Sequence, residues 1–147
     1  MGLVCDTANH LVLCGIPERG PQFDRTHFRS ALTAATRQKR IKNLVADAGY
    51  DGEANHVFAR QSLSIRLIMP ATIGWQSKSM PRTKYRKLMR VRFPKTMYGQ
   101  RWQAETVMSM IKRNFESYAR ARSYWSQCRE IMLRLFTHNV MIVRPVI

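Results

Sequence analysis

Tyr98, Arg101, Glu105 and Lys112 are separated by 3, 4 and 7 positions, a spacing that repeats on one side of a helix. At about 100° per residue the four share an arc of roughly 60°. Beside that arc runs an apolar stripe of Ala104, Val107, Met108, Ile111 and Phe115. The quartet therefore falls where a helix leaves its core and meets a cleft, a good position for a catalytic acid. Such a pattern also suits a surface of spaced ion pairs, and the spacing alone leaves both readings open. A second acid, Asp47, follows Leu44, Val45 and Ala46 in a run (42–48) that reads as a buried strand. Gly49 and Tyr50 then turn the chain toward a short helix over about 53–61, which places Asp47 at the C-terminal end of its strand.

These residues need elements to hold them. Two short apolar runs, 3–5 and 10–14, flank the polar turn Asp6-Thr-Ala-Asn9 and predict a β-hairpin. Asp24 is placed to cap a helix that carries Phe28, Leu32 and Ala35 on one face and ends near 38–40. Residues 64–69 form another strand candidate, closed by Pro70. Two long helices follow, over about 100–115 and 124–143. The second is strongly amphipathic, with Trp125, Cys128, Met132, Leu135, Phe136 and Val140 at helical spacing, the pattern of a core-facing stripe. The order β, β, α, β, α, β, α, α favours an α/β sheet packed with helices. The stretch between Pro70 and Pro94 reads as an irregular, basic insertion.

The chain has 147 residues, 45% apolar, with 25 Lys and Arg against 9 Asp and Glu, a formal charge of +16. The apolar content excludes a disordered basic tail, and the length suits one domain. The charge points to a polyanion, with nucleic acid as the leading partner. No acid occurs between Glu53 and Glu105. Within that stretch Lys78, Arg82, Lys84, Arg86, Lys87, Arg90, Arg92 and Lys95 interleave with Trp75, Tyr85 and Phe93, as on a surface that follows phosphates. The alternative is a solvated cationic loop. Cys5, Cys14 and Cys128 have no paired spacing, and His10, His27, His56 and His138 share no metal spacing, so neither a zinc site nor a disulfide framework is expected. No apolar run is long enough to span a membrane and no secretory leader is evident. Nothing points to a small-molecule substrate, and a soluble cytoplasmic protein associated with the nucleoid through DNA is expected.

The segment 98–112, Tyr-Gly-Gln-Arg-Trp-Gln-Ala-Glu-Thr-Val-Met-Ser-Met-Ile-Lys, resembles the Tyr-x2-Arg-x3-Glu-x6-Lys signature of DDE transposases from bacterial and archaeal insertion sequences. All four positions match. Ala46-Asp47-Ala48-Gly49-Tyr50-Asp51 likewise resembles the block around the second catalytic Asp of that family. The resemblance implies an RNase H-like mixed sheet with flanking helices, in which three carboxylates bind two Mg²⁺ or Mn²⁺ ions and DNA is cut and rejoined. Carried onto this chain, Asp47 is the second acid and Glu105 the third. The resemblance implies that both are metal ligands. Arg101 and Lys112 resemble residues that hold phosphates near the cut, and Tyr98 resembles the one that stacks or hydrogen-bonds beside it. The implied partners are double-stranded DNA, as transposon ends and target, and an intact transposase subunit.

The chain departs from the pattern at the first acid. The family carries it on a strand upstream of the hairpin with which residues 1–147 open, so a partial catalytic domain lacking its first strand is expected. Asp6 and Asp24 are candidates to replace it, but they read as a turn residue and a helix cap. Two functional expectations follow. One is metal-dependent strand cleavage and transfer, with this stretch an inactive fragment of that machinery. The other is a non-catalytic basic DNA-binding protein of transposase descent.

Overall fold

In the first fourteen residues the turn chemistry is local and complete. Asp6 accepts from the Ala8 N–H through Oδ1 (3.2 Å), and Asn9 accepts likewise from Leu11 (3.2 Å). Backbone bonds from Asp6 N–H to Leu11 O (2.8 Å) and from His10 N–H to Asp6 O (2.9 Å) close the loop. His10 takes a left-handed φ of 61° there. The result is an antiparallel hairpin of β1 (Gly2–Cys5) and β2 (Val12–Ile16), with one register irregularity between Val4 and Cys5. The computed structural model describes residues 2–17, 27–71 and 80–144. The chain divides into two units, Met1–Gln22 with Trp102–Ile147, and Phe23–Arg101.

In the first unit the hairpin lies on two helices, α5 (Trp102–Phe115) and α6 (Tyr124–Val143). Val12, Val107, Ile111 and Leu135 form its buried centre, with Leu3, Cys5, Phe115 and Ile131 packed around them. Gly15 lets the hairpin approach α6 closely, since a Cβ there would lie 2.1 Å from Leu135 Cδ1 and displace that side chain. The Asn139 amide treats Val12 as a neighbouring strand would. Its Oδ1 accepts from Val12 N–H (2.8 Å) and its Nδ2 donates to Val12 O (2.8 Å). His138, buried, meets the carbonyl of His10 through Nε2 (3.0 Å). Between α5 and α6, Glu130 accepts the N–H groups of Arg120 and Ala121 and pairs with Arg134, while Glu116 pairs with Arg120.

The second unit contains the parallel pair β3 (Asn43–Val45) and β4 (Arg66–Ile68). α1 (Phe28–Gln38) precedes them. Their connection runs through α2 (Glu53–Val57) and a widened π-type turn, Phe58–Ser62. Phe28 and Leu32 of α1, Ala59, and Ile65, Leu67 and Met69 around β4 form one buried cluster, joined by Leu44, Ala46 and Tyr50. Burial of this set is the main stabilising term, at about 25 cal/mol for each Å² of apolar surface removed from water. Two further helices follow, α3 (Lys84–Val91) and α4 (Lys95–Tyr98), and the chain reaches α5 through a 3₁₀ turn, Gly99–Arg101. The described residues thus make a mixed α/β structure whose strands pair as two separate two-stranded sheets. No helix among them is long and apolar enough to cross a membrane.

Several expectations need correction. Part of the basic stretch expected to be irregular is helical, because α3 forms within it. Tyr98, Arg101, Glu105 and Lys112 do not share one helix, since Tyr98 ends α4 and Arg101 closes the 3₁₀ turn before α5 begins. The α6 stripe is not core apart from Leu135. Trp125, Met132, Phe136 and Val140 are 72%, 46%, 66% and 51% exposed, while the helix faces inward through Ile131, Leu135 and His138, about a quarter-turn away. The β3 strand is shorter than the run 42–48. Asp24, Trp75 and Lys78 lie outside the described residues.

Replacing Asn139 with Ala strands both Val12 backbone groups, and should cost about 1–3 kcal/mol in urea-induced unfolding. An unchanged unfolding midpoint would show that water satisfies Val12 as well as the amide does.

Candidate functional site

Asp47 stands two residues beyond β3, where backbone pairing with β4 still holds Ala46 through its N–H to Ile68 O (2.9 Å). Its backbone is extended (φ −70°, ψ 159°), and its Oδ1 accepts from Ala48 N–H (2.7 Å), capping the 3₁₀ turn Ala48–Tyr50. The Arg101 guanidinium lies 3.5 Å from Asp47 Oδ2, with both side chains well exposed, 36% for Arg101 and 60% for Asp47. Two residues that the sequence marks from separate motifs therefore meet. At that distance and exposure the pair is worth under about 1 kcal/mol, so a ligand can displace it.

Four positions on, a second acid–arginine pair has the opposite character. Asp51 has only 1% of its side chain exposed and takes two bonds from Arg86 Nε (3.1 Å to each oxygen) and one from Nη2 (2.8 Å). Removing one partner of such a pair leaves a buried charge uncompensated. Next to it, Glu53 accepts the N–H groups of Tyr85 (3.0 and 3.2 Å) and Arg86 (3.1 Å), the free donors at the start of α3. Burial opposes ionisation of Glu53, but those two donors, with the Thr83 side chain and nearby His56, together hold the carboxyl below its ordinary range.

Beneath them His56 is fully buried, and neither ring nitrogen finds a partner. Its ring lies 6.0 Å from that of Tyr85, which also carries the Arg60 guanidinium at 5.1 Å. Burial first, and the Arg60 cation second, push the His56 imidazole down to about 4 from an ordinary 6.5.

The remaining marked residues fall as follows. Tyr98 packs its ring 4.9 Å from Phe93 at the end of α4. Glu105 and Lys112, two turns apart on α5, line an open hollow of about 490 Å³ together with Leu3, Ala104, Met108 and Ser109. Lys84, Lys87 and Arg90 are exposed on α3, whereas Arg86 is committed to Asp51. Asp6 serves the hairpin turn. Among the described residues no three of His, Cys, Asp and Glu come together as a metal-binding group. Sequence reasoning passed over the Asp51, Glu53, His56 and Arg60 cluster. Its one legible signal was two further acids just after Asp47 in an acid-poor chain.

Residues 1–140 match the family model described as the transposase DDE domain, and the chain belongs to that family. No curated protein and no solved structure matches it. A transposition-related function follows from the family.

His56 makes stability depend on pH in a defined direction. Between about pH 6.5 and 4 the unfolded chain binds a proton that the folded chain refuses, so stability falls as pH drops through that window and is fully present above it. The loss approaches roughly 3 kcal/mol at the acid end. Urea unfolding at stepped pH should show this slope in the unaltered chain and a clearly smaller one in His56→Leu; identical slopes would mean that the imidazole titrates freely.

Proposed function

We propose that this chain serves DNA transposition through the two-metal phosphodiester chemistry of an RNase H-like site, with Asp47 and Glu105 as metal-ligating carboxylates. The observation that carries this reading is the contact between Asp47, at a strand end, and Arg101 of the four-residue signature. Carboxylate oxygens are the hard donors that Mg²⁺ or Mn²⁺ prefers, and the exposed Asp47 fits that demand in kind. Bound there, the ions would supply Lewis-acid activation of the attacking and leaving oxygens. Ala48 N–H holds Asp47 Oδ1, and Oδ2 faces the Arg101 guanidinium. Arg101, which meets Asp47 across 3.5 Å, would turn its guanidinium to a phosphate oxygen and keep the strand in place. Lys112 and Tyr98 add a further phosphate contact and a stacking edge, on transposon ends or target DNA. Neither Asp6 nor any other described residue is assigned as the third carboxylate.

A second reading is favoured by a different observation, the exposed cations Lys84, Lys87 and Arg90 of α3, a basic surface that needs no metal ion. On that reading the chain binds double-stranded DNA, alone or beside an intact transposase subunit, without cutting it.

A cleavage assay with Mn²⁺ and a duplex carrying the element's ends separates the two. On the first reading, Asp47→Asn and Glu105→Gln each lower cleavage by roughly a hundred-fold or more while duplex retention in a gel shift stays the same. Cleavage that survives either substitution removes that acid from the site. A duplex that the unaltered chain holds firmly but never cuts establishes the second reading.

A further inference from the structure

We propose that Asp51 and Glu53 are positioning residues for nucleic-acid binding. They fix α3 so that Lys84, Lys87 and Arg90 present one phosphate-facing surface, with Arg86 as the internal pin rather than a DNA contact. The inference rests on the DNA-binding reading above and assigns the parts within it.

α3 is an eight-residue helix with no acid in its first turn and Lys84 as its first residue. Both features are unfavourable. A helix this short is marginal alone, and a cation at its N-terminus opposes the helix dipole. Its N-cap residue, Thr83, makes no side-chain capping bond. What is missing comes from 30 or so residues upstream, where the Glu53 carboxylate takes the N–H groups of Tyr85 and Arg86. That carboxylate completes both the hydrogen bonding and the charge balance of the helix start.

Arg86 then fixes rotation about the helix axis. Its guanidinium forks onto the buried Asp51, a planar geometry that holds orientation as well as distance. With Arg86, Tyr85 and the buried Met89 turned inward, the period of 3.6 puts Lys84, Lys87 and Arg90 outward, and all three are exposed. Asp51 and Glu53 also continue directly from the turn that Asp47 caps. The acid-bearing turn and the cationic helix are thereby mounted on one short, hydrogen-bonded segment.

The consequence runs against simple electrostatics. Removing a negative charge from a DNA-binding protein ordinarily tightens binding, because repulsion of the phosphates falls. Here, neutralising Asp51 should weaken it. Asp51→Asn and Arg86→Gln change the net charge in opposite directions, yet both release the same pin and should act alike.

The test is fluorescence anisotropy of the full chain with a random-sequence DNA duplex of about 30 base pairs, from roughly 50 to 200 mM salt. Asp51→Asn and Arg86→Gln should each raise Kd about tenfold and flatten the log–log salt slope by roughly two to three, the loss of three phosphate contacts at about 0.9 each. Lys87→Gln should flatten it by only about 0.9. Glu53→Gln keeps one acceptor oxygen for the helix N–H groups while losing the charge, and is the milder variant should Asp51→Asn fold poorly; it should still weaken binding. Equal or tighter binding by Asp51→Asn or Glu53→Gln overturns the proposal. So does an Arg86→Gln slope change no larger than that of Lys87→Gln, which would make Arg86 a direct phosphate contact. If the unaltered chain shows no salt-dependent binding, the DNA-binding reading itself falls, and this inference with it.

Discussion

Scarcity of negative charge is the constraint on which this structure depends. With 25 cationic side chains and 9 acids, every carboxylate has many suitors, and where it is placed decides which cations are tied to the protein and which are left for a partner. Three of the nine acids, Asp47, Asp51 and Glu53, fall within seven consecutive residues. Each is used differently. Asp51 is buried and locked to Arg86, Glu53 closes the start of α3, and Asp47 remains out in solvent with Arg101 at 3.5 Å. In the other unit Glu116 and Glu130 do comparable work on the α5–α6 connection, holding Arg120 and Arg134.

That division follows from local structure. The end of β3 turns sharply at Ala48–Tyr50, with Asp47 exposed before the turn and Asp51 buried against Arg86 after it. A carboxylate in the second environment needs its partner continuously, because a buried unpaired charge is costly. A carboxylate in the first does not, and can exchange an arginine for a ligand at little expense. On the proposed reading, chemistry belongs with the exposed Asp47 and positioning with Asp51 and Glu53, the two acids tied to α3.

Much of this was legible in the sequence, for physical reasons that differ by element. The hairpin, the strand before Asp47, β4 and the extents of α5 and α6 follow from turn residues and periodicity, which act over a few positions. Asp47 and Arg101 were legible as motif positions, though not as neighbours. α3 was missed because its cap is Glu53, more than 30 residues upstream, and no local signal announces a helix start. The rotation of α6 was missed because polar groups orient it. Asn139 and His138 dock on the hairpin through hydrogen bonds, which a pattern of apolar residues cannot register, so the most obvious stripe faces outward. The pairing of Arg86 with Asp51 was not legible, because the charge of Arg86 shows in the sequence and its buried partner does not.

The central claim is that Asp47 is a working metal ligand rather than a turn residue that happens to be acidic. Paramagnetic broadening of backbone amide signals by substoichiometric Mn²⁺ tests it directly. The account predicts that the signals of Ala46, Asp47, Ala48, Gly49 and Tyr50 broaden selectively, and that Asp47→Asn abolishes the effect while leaving the fold intact. Broadening that is absent from this turn, or that persists unchanged in the Asn variant, would contradict it.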